Sequence, residues 1–483
     1  MVTIVEILVG IVGLGLMVFI HELGHFVAAK LAGVGVETFS LGWGPRLVGF
    51  RHGGTSYQIS WIPIGGYCKM KGELVPGLAG GGAEAIARAE EGISSAGTAP
   101  ATNGRGAPAD VEPVHPKGSF LAATPLQRIM IAAFGPLFNL VFAFLAFAVI
   151  WWVGFSVASP DNRVILATDY TLDTFPQPPP AAVAGLKTGD RITAIDGVSV
   201  EKFQDILEHV SVSPGKSLQV SVQRAGGAVS TLTLTPQLDK DTGAGRIGVY
   251  AWTDPLVRVV TPGSAAAIAG LHAGDRIVEA GGRPVANTMD LYQALASRPA
   301  KIDLGFDRAG SRQHATLVFV YDDKGAPNLG LDFAFNLYRS PRMGPLGAVR
   351  KSLDETWNTI SLTVKGIGLL FQGIKLRNAV AGPLRITYYI GSAATSGFEL
   401  GVRAGFVSFF RFLSFLSVVL FLMNLVPIPA MDGGQIVLYV VEIARRRPVR
   451  SRLIWRLQLI GFSLLIGLSL FVTFSDVLFF MGR

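Results

Sequence analysis

The stretch MVFIHELGHFVAAK (residues 17–30) places two histidines and a glutamate inside one of the most apolar parts of the chain. His21 and His25 are four residues apart, so a helix puts both imidazoles on one face. That spacing lets both rings reach one zinc ion, and Glu22 stands where it can deprotonate a metal-held water. We therefore predict a Zn²⁺ site with His21 and His25 as metal ligands and Glu22 as the catalytic residue.

The alternative is a pair of histidines that bind no metal and are satisfied by neighbours on the helix. That alternative is unfavourable in a membrane, because three ionisable groups on adjacent turns meet no bulk water there.

The composition indicates a membrane protein with additional soluble parts. Hydrophobic residues make up 50% of the 483 positions and charged residues 16%, which is too apolar for an ordinary soluble protein. Four stretches reach the roughly 20 residues that a helix needs to cross a bilayer. They are residues 7–34, 129–155, 406–443 and 453–474.

The formal net charge of +8 does not predict nucleic-acid binding, because its arginines cluster between two apolar stretches. Such a cluster is typical of a cytoplasmic loop. Alternation of four spans then puts residues 156–405 on the opposite, outer side. The clustered arginines are Arg445, Arg446, Arg447, Arg450, Arg452 and Arg456.

A catalytic zinc ion needs a third protein ligand, and the third apolar stretch contains a single carboxylate, Asp432. It follows Pro427 and Pro429 and precedes two glycines, a pattern that breaks a helix and permits tight re-entry. A break of this kind is tolerated in lipid where it lines a polar cavity. We predict Asp432 as a metal ligand. A helix-capping role is the alternative, and both roles are compatible.

Asn424 is a second polar residue in the same stretch. Its carboxamide is placed to hydrogen-bond a substrate backbone or to brace the helix break. A hydrogen bond between two helices is the other interpretation.

Two segments after the first span alternate like strands, VETFSLGWGPRLVGF and TSYQISWIPIGGYCKM. With the turn at Gly53 and Gly54 they predict a β-hairpin close to the end of that span.

The single cysteine, Cys68, has no neighbour that marks an activated thiol, so we interpret it as structural. Residues 76–118 are rich in Gly, Ala and Pro and predict a disordered insertion.

The outer region contains an internal repeat, in which PAAVAGLKTGDRITAIDG aligns with GSAAAIAGLHAGDRIVEAGG. Gly185 matches Gly270 and Asp190 matches Asp275, 85 residues apart in each case. That period is too long for a solenoid and suits a duplicated small domain. The pattern AGLxxGDxIxxxxG resembles PDZ domains of bacterial proteases, which bind peptides by strand addition. Two generic α+β domains are the alternative.

Residues 352–378 carry apolar side chains at roughly helical spacing, with Lys365 and Lys375 placed to reach the membrane surface. We predict an amphipathic helix that lies on the outer membrane surface and links the repeat to the third span. A helix packed on the PDZ domains is the alternative.

HELGH in the first span, GPLFN at 135–139, the PDZ pair and NLVPIPAMDGG near the end together resemble the site-2 proteases of the regulator-of-sigma-E type. The resemblance covers about residues 1–475 except for the insertion. It implies a zinc protease that cuts within transmembrane helices of single-pass proteins. The typical substrate is an anti-sigma factor already trimmed by a first protease, and signal-peptide remnants are another.

The resemblance also implies where the chain lies and what its parts do. We expect a bacterial inner membrane protein with periplasmic PDZ domains and a cytoplasmic loop at 445–456. The hairpin is expected to pair with the unwound substrate, and the PDZ pair to exclude substrates with bulky outer domains. The implied zinc ligands are His21, His25 and Asp432, the implied base is Glu22, and the implied substrate-handling residues are Asn424, Pro427 and Pro429.

The expected fold class is mixed, with a polytopic α-helical membrane domain of four transmembrane helices, a membrane-associated β-hairpin and two α+β PDZ domains. The expected segments are the first span (1–35), the hairpin (36–75), the insertion (76–118), the second span (119–156), the two PDZ domains (157–250 and 251–336), the linker helix region (337–400), the third span with Asp432 (401–444), and the basic loop with the fourth span (445–483).

Two other functions remain to be weighed. A catalytically inactive PDZ scaffold is disfavoured because the metal-ligand set and Glu22 are complete. A metal transporter is disfavoured because no repeat relates the first two spans to the last two, and transport explains neither Glu22 nor the PDZ pair.

Overall fold

The computed structural model describes residues 4–73, 116–170, 178–224, 226–240, 242–319, 329–369, 381–447, 449 and 451–481. Apart from residues 116–118, the predicted insertion lies outside these ranges. The chain forms two compact units. The first comprises Met1–Phe155, Pro341–Val364 and Val380–Arg483, and the second comprises Ser156–Ser340 and Lys365–Ala379.

The described residues form eleven α-helices and eighteen strands. The helices are α1 (Ile4–Leu31), α2 (Pro125–Val153), α3 (Pro180–Val183), α4 (Phe203–Ser211), α5 (Ala265–Ile268), α6 (Thr288–Leu295), α7 (Pro345–Leu369), α8 (Pro383–Glu399), α9 (Val402–Asn424), α10 (Asp432–Arg445) and α11 (Ser451–Met481). The strands are β1 (Val36–His52), β2 (Thr55–Met70), β3 (Ser156–Ser159), β4 (Val164–Leu166), β5 (Arg191–Ile195), β6 (Val198–Ser199), β7 (Leu218–Gln223), β8 (Val229–Leu234), β9 (Gln237–Leu238), β10 (Gly245–Arg246), β11 (Val249–Ala251), β12 (Val257–Val260), β13 (Arg276–Ala280), β14 (Arg283–Pro284), β15 (Lys301–Arg308), β16 (Ser311–Val318), β17 (Leu331–Phe333) and β18 (Asn336–Arg339).

Four helices in the described part of the chain, α1, α2, α9 and α11, are long and apolar enough to cross a membrane. Four spans were predicted. Helix α2 begins four residues earlier than expected because Thr124 caps it in a capping box with Gln127, and Pro125 occupies its first turn.

The third apolar stretch is interrupted, as its prolines and glycines predict. Helix α9 ends at Asn424, and a separate helix, α10, begins at Asp432. The segment between them contains Pro427 and Pro429, which have no backbone N–H to continue the helical hydrogen bonds. Asp432 therefore occupies the first position of the helix that follows the break.

Strands β1 and β2 pair with each other, as the alternation predicts, but the sheet is more bent than a simple hairpin. The first arm of β1, residues 36–41, pairs on one side with 66–70 and on the other with 56–59. The second arm of β1, residues 46–52, pairs with 55–60. The bends occur near Gly42, Gly44 and Gly65, whose φ values of 89°, 93° and 81° are accessible to glycine at low cost.

Helix α8 was not predicted, and it packs against the N-terminal half of α1. Neither helix has room for a methyl group at the contact. A Cβ at Gly10 would lie 2.0 Å from the carbonyl oxygen of Thr387, and one at Gly391 would lie 1.9 Å from that of Glu6. The glycines therefore bring the two helices into backbone contact.

The N-terminus of α8 is held by a carboxylate from α11. Asp476 is fully buried and accepts hydrogen bonds from the backbone amides of Gly382, Leu384 and Arg385, at 3.0–3.1 Å. The Arg385 Nε also donates to it at 2.5 Å. The first amides of a helix lack helical partners, so this carboxylate satisfies them while its own charge is paired.

A second buried ion pair joins α2 to α10. Arg128 donates to Glu442 at 2.8 Å, with 9% and 8% of the two side chains exposed. The guanidinium also lies 4.9 Å from the ring centre of Tyr439. Tyr439 and Glu442 follow Asp432 by two and three helical turns, so the contact fixes the helix that begins at Asp432 against α2.

The second unit contains two four-stranded sheets with the same antiparallel strand order, β6-β5-β7-β8 and β14-β13-β15-β16. The four residues singled out from the repeat have structural partners here. Asp190 pairs with Arg224 at 2.6 Å and Asp275 with Arg308 at 2.7 Å. Each arginine also donates to the carbonyl of the matching glycine, Gly185 or Gly270.

The pKa of the Asp275 carboxyl follows from this arrangement. Burial opposes ionisation, but hydrogen bonds from Arg308 and from the backbone of His272 outweigh it and hold the pKa below its usual range. Both glycines adopt left-handed φ values, 82° and 79°, that end the short helices α3 and α5.

Helix α7 begins at Pro345, seven residues before the predicted amphipathic segment, and residues 370–378 of that segment lie outside the described residues. One face of α7 is buried at Ala348, Ser352 and Thr356. Its attachment to a membrane surface stays a prediction. The opposite face exposes Leu346, Leu353, Trp357 and Val364.

The ion pair between α2 and α10 gives a test of the packing. In Glu442→Leu the charge of Arg128 stays buried without its partner, so we expect the free energy of unfolding to fall by about 3–5 kcal/mol. In the double variant Arg128→Met, Glu442→Leu no charge remains, and most of the loss should be recovered. Unfolding of the purified protein in detergent measures both. An equal loss of unfolding free energy in the single and double variants would show that the unpaired charge of Arg128 is not the cause.

Candidate metal centre

Two imidazoles of α1 point their Nε2 atoms at the same place. The Nε2 atoms of His21 and His25 lie 3.2 Å apart, and the rings are nearly perpendicular. The Nδ1 of His25 faces the carbonyl oxygen of Ile131 on α2 at 2.9 Å. A carbonyl only accepts hydrogen bonds, so the Nδ1 of His25 carries hydrogen and its Nε2 lone pair is available.

The carboxylate of Asp432 meets both histidines. Its Oδ2 lies 3.3 Å from His21 Nε2, and its Oδ1 lies 3.4 Å from His25 Nε2. The cap of α10 is Met431 rather than Asp432, and it makes no side-chain capping bond. The structure therefore does not support a capping role for Asp432. Its carboxylate is directed at the histidines instead.

These three side chains fit a zinc ion. Ligands at the zinc–nitrogen distance of about 2.0–2.1 Å occupy the corners of a tetrahedron with edges of about 3.3 Å. The two Nε2 atoms lie 3.2 Å apart, and each lies 3.3–3.4 Å from its own oxygen of Asp432, Oδ2 for His21 and Oδ1 for His25, so each of these separations is close to that edge. One donor atom from each of the three residues lies within 4.8 Å of the others. Two imidazoles and one carboxylate leave a fourth corner, as catalytic zinc sites require.

The backbone is strained at Ala430, two residues before Asp432, where the chain turns into α10 and the carboxylate faces the histidines. Ala430 has φ of 80°, a left-handed value that is costly for a residue with a Cβ. Gly433 and Gly434 let α10 begin against the helix break, since a Cβ on either would lie 2.2–2.3 Å from a carbonyl oxygen of Leu425 or Ile428. The sequence pattern of proline, aspartate and glycines thus has a direct geometric reason.

Helices α1 and α2 are in close contact beside the histidines. A Cβ on Gly24 would lie 2.2 Å from the carbonyl oxygen of Phe134, and one on Gly135 would lie 2.3 Å from His25 Nε2. Both positions therefore require glycine. Gly135 belongs to GPLFN, which the sequence identified by resemblance without giving it a role.

Asn139, the last residue of GPLFN, also contacts the centre. It is fully buried, and its amide nitrogen lies 3.3 Å from His21 Nδ1. Sequence reasoning assigned no function to Asn139. A polar residue at the depth of the second span was the signal that could have identified it.

A cavity of about 350 Å³ opens beside the donor atoms. Glu22 lines it together with His25 and Asp432, and strand β2 forms one wall through residues 67–70. Glu22 therefore faces the same space as the metal-ligand candidates, which is where a catalytic base must lie.

The structure does not bring the three predicted substrate-handling residues to this cavity. In the described part of the chain its lining includes Ala430 and Asp432 but not Asn424, Pro427 or Pro429. Asn424 is half-buried at the end of α9, and the prolines lie in the break that follows. The carbonyl of Pro429 instead packs against Gly461 of α11. Their substrate-handling role stays a prediction.

The contact at Gly135 predicts the effect of adding one methyl group. Gly135→Ala would place a carbon against His25 Nε2, so the ring must move and metal affinity should fall by about tenfold or more. Gly467→Ala in α11, where no atom lies within 4 Å of the added Cβ, is the matched control. Competition with a chelator measures both. Unchanged zinc affinity in Gly135→Ala would show that the contact does not hold His25.

The chain is similar to known proteins over almost its whole length. The family model described as Peptidase family M50 matches residues 9–468. A Treponema pallidum protein named "Putative zinc metalloprotease" is 35% identical, and the match covers 98% of this chain and 99% of that protein. Proteins named "Regulator of sigma-E protease RseP" from Salmonella typhimurium and Escherichia coli are each 30% identical, covering 96% of this chain and 97% of theirs.

Among solved structures, the PDZ domain of an SdrC-like protein from Listeria monocytogenes matches 17% of this chain and 90% of its own, at 22% identity and a TM-score of 0.16. The family model alone covers far more than half of the residues. The chain therefore belongs to peptidase family M50, the site-2 protease family of zinc metalloproteases.

Proposed function

We propose that this protein is an intramembrane zinc endopeptidase that cleaves transmembrane segments of single-pass proteins. The observation that carries the proposal is the convergence of His21, His25 and Asp432 beside Glu22, in a cavity between helices apolar enough to span a bilayer. A site at that depth suits a substrate that is itself embedded in lipid.

In this proposal His21, His25 and Asp432 are the zinc ligands and Glu22 is the base. Zinc held by these residues would make a bound water more acidic and polarise the scissile carbonyl. The Glu22 carboxylate takes a proton from the attacking water and delivers it to the leaving amine. The Glu22 side chain lines the cavity beside His25 and Asp432.

The sheet of β1 and β2 is proposed to receive the substrate. A transmembrane helix protects its peptide bonds by helical hydrogen bonding, so it must unwind before cleavage. The arm 66–70 of β2 pairs with β1 and lines the cavity, so an extended substrate beside it would lie next to Glu22. Exposed apolar side chains suit a membrane-associated sheet, and they are Leu47, Val48, Phe50, Trp61 and Ile62.

The second unit is proposed to be a pair of PDZ domains that excludes substrates with bulky outer domains. The support is the repeated sheet order and the matching Asp–Arg pairs, Asp190–Arg224 and Asp275–Arg308. Each domain would bind an extended peptide or chain end by strand addition.

The proposed location is the bacterial inner membrane, with the PDZ domains in the periplasm and the arginine-rich loop in the cytoplasm. The proposed substrate is an anti-sigma factor after a first cut, with signal-peptide remnants as a further class. The support is the similarity to proteins named for regulation of sigma-E.

An inactive scaffold and a metal transporter both leave Glu22 without a purpose. A scaffold does not need a carboxylate beside the candidate ligands, and transport does not need a base that shares the cavity with Asp432. These two functions therefore explain less of the centre than proteolysis does.

Glu22→Gln tests the proposal directly. The amide keeps the shape of the side chain but cannot take up a proton, so zinc content should stay at the wild-type level while cleavage falls by about 10²–10⁴-fold. The assay uses purified protein reconstituted with a single-pass substrate. Glu399→Gln, an exposed change at the end of α8, is the control and should cleave normally.

Two results would contradict the proposal. Full cleavage by Glu22→Gln would remove the assigned base. Full zinc content in a His25→Ala, Asp432→Ala variant would place the metal elsewhere.

A further inference from the structure

Asn139 occupies an unusual position for a carboxamide. It lies in the middle of α2, between two helices that are long and apolar enough to span a membrane, and it is fully buried. Its amide nitrogen lies 3.3 Å from His21 Nδ1, while its amide oxygen is buried without a hydrogen-bond partner. Buried polar atoms are nearly always paired, so this oxygen needs an explanation.

The role of His21 as a metal ligand determines whether Asn139 must offer its Nδ1 a hydrogen-bond donor or an acceptor. The Nε2 of His21 faces His25 and Asp432 at 3.2 and 3.3 Å, so its lone pair is the one directed at the proposed metal. A neutral imidazole that offers the Nε2 lone pair carries its hydrogen on Nδ1. That hydrogen is buried and needs an acceptor.

His25 provides an internal comparison. Its Nε2 faces the same centre, and its Nδ1 meets the carbonyl oxygen of Ile131, which can only accept. Both histidines thus direct Nε2 to the centre and Nδ1 to α2. For His21 the atom that takes the place of the Ile131 carbonyl belongs to the Asn139 amide.

The two ends of a carboxamide have nearly the same shape, so hydrogen-bond partners decide which end faces His21. An NH₂ group directed at an N–H would be repulsive and would leave the amide oxygen unpaired. A half-turn of the amide exchanges its two ends without moving any other atom. The oxygen then accepts from His21 Nδ1.

We infer that Asn139 is a positioning residue, whose amide oxygen accepts a hydrogen bond from His21 Nδ1 and thereby fixes the ring with Nε2 toward the metal. The inference rests on the proposed zinc site. It also gives GPLFN a physical meaning. Gly135 leaves room for His25 and Asn139, one helical turn later, holds His21, so one face of α2 supports both rings.

The test compares two replacements that differ in hydrogen bonding and are similar in size. Asn139→Asp offers only acceptors, and Asn139→Leu offers none. The readout is the dissociation constant for zinc alone, measured by chelator competition on the purified full-length protein in detergent. We expect Asn139→Leu to bind zinc about 10–100-fold more weakly, and Asn139→Asp to bind it at least as tightly as wild type.

Ser414→Ala is the matched control, since Ser414 is equally buried but bonds within its own helix, to Phe410. It should leave zinc affinity unchanged. Solid-state NMR of isotope-labelled histidine gives a second readout that does not depend on folding of the leucine variant. In the wild-type protein loaded with zinc, Nδ1 of His21 should carry the hydrogen.

Wild-type affinity in Asn139→Leu would overturn the inference. Zinc binding by Asn139→Asp as weak as that by Asn139→Leu would also overturn it, because an acceptor at this position would then not support the site. An Nδ1 of His21 without hydrogen would overturn it as well, because Asn139 would then be the donor. If His21→Ala binds zinc like wild type, the zinc site itself is wrong, and that outcome is distinct from a failure confined to Asn139.

Discussion

The close contact between α1 and α2 at Gly24 and Gly135 is the constraint on which the rest of the centre depends. Neither position has room for a methyl group, because a backbone carbonyl lies against one and His25 lies against the other. At this separation the backbone of Ile131 reaches His25 and the side chain of Asn139 reaches His21. A wider spacing would leave both rings without partners on their Nδ1 side, and the direction of their Nε2 atoms would be lost.

The third candidate ligand, Asp432, is not on α1 and is positioned by a separate set of contacts. Asp432 stands at the start of α10, after a strained turn at Ala430. The buried pair of Arg128 and Glu442 ties α10 to the helix that also carries Gly135 and Asn139. Separating the two partners would leave a buried charge unpaired, so this pair disfavours other alignments of α2 and α10. Here the alignment is that of a carboxylate with two imidazoles.

Part of this centre could be read from the sequence because its chemistry is local. The four-residue spacing of His21 and His25 fixes a common helix face, and the proline-rich break points to Asp432. The rest depends on packing between distant segments. Gly135 and Asn139 acquire their roles only when α2 lies against α1. Helix α8 was missed because its short apolar face alternates with polar residues, and the partner that fixes its N-terminus, Asp476, lies 91 positions after Arg385.

The identity of the metal-binding atoms is the central claim, and X-ray absorption at the zinc edge of the purified wild-type protein tests it most directly. We expect one zinc ion per chain with only nitrogen and oxygen neighbours at about 2.0–2.1 Å, including imidazole rings. A sulfur neighbour at about 2.3 Å would contradict the account. It would place Cys68, which lines the same cavity, among the ligands in place of Asp432.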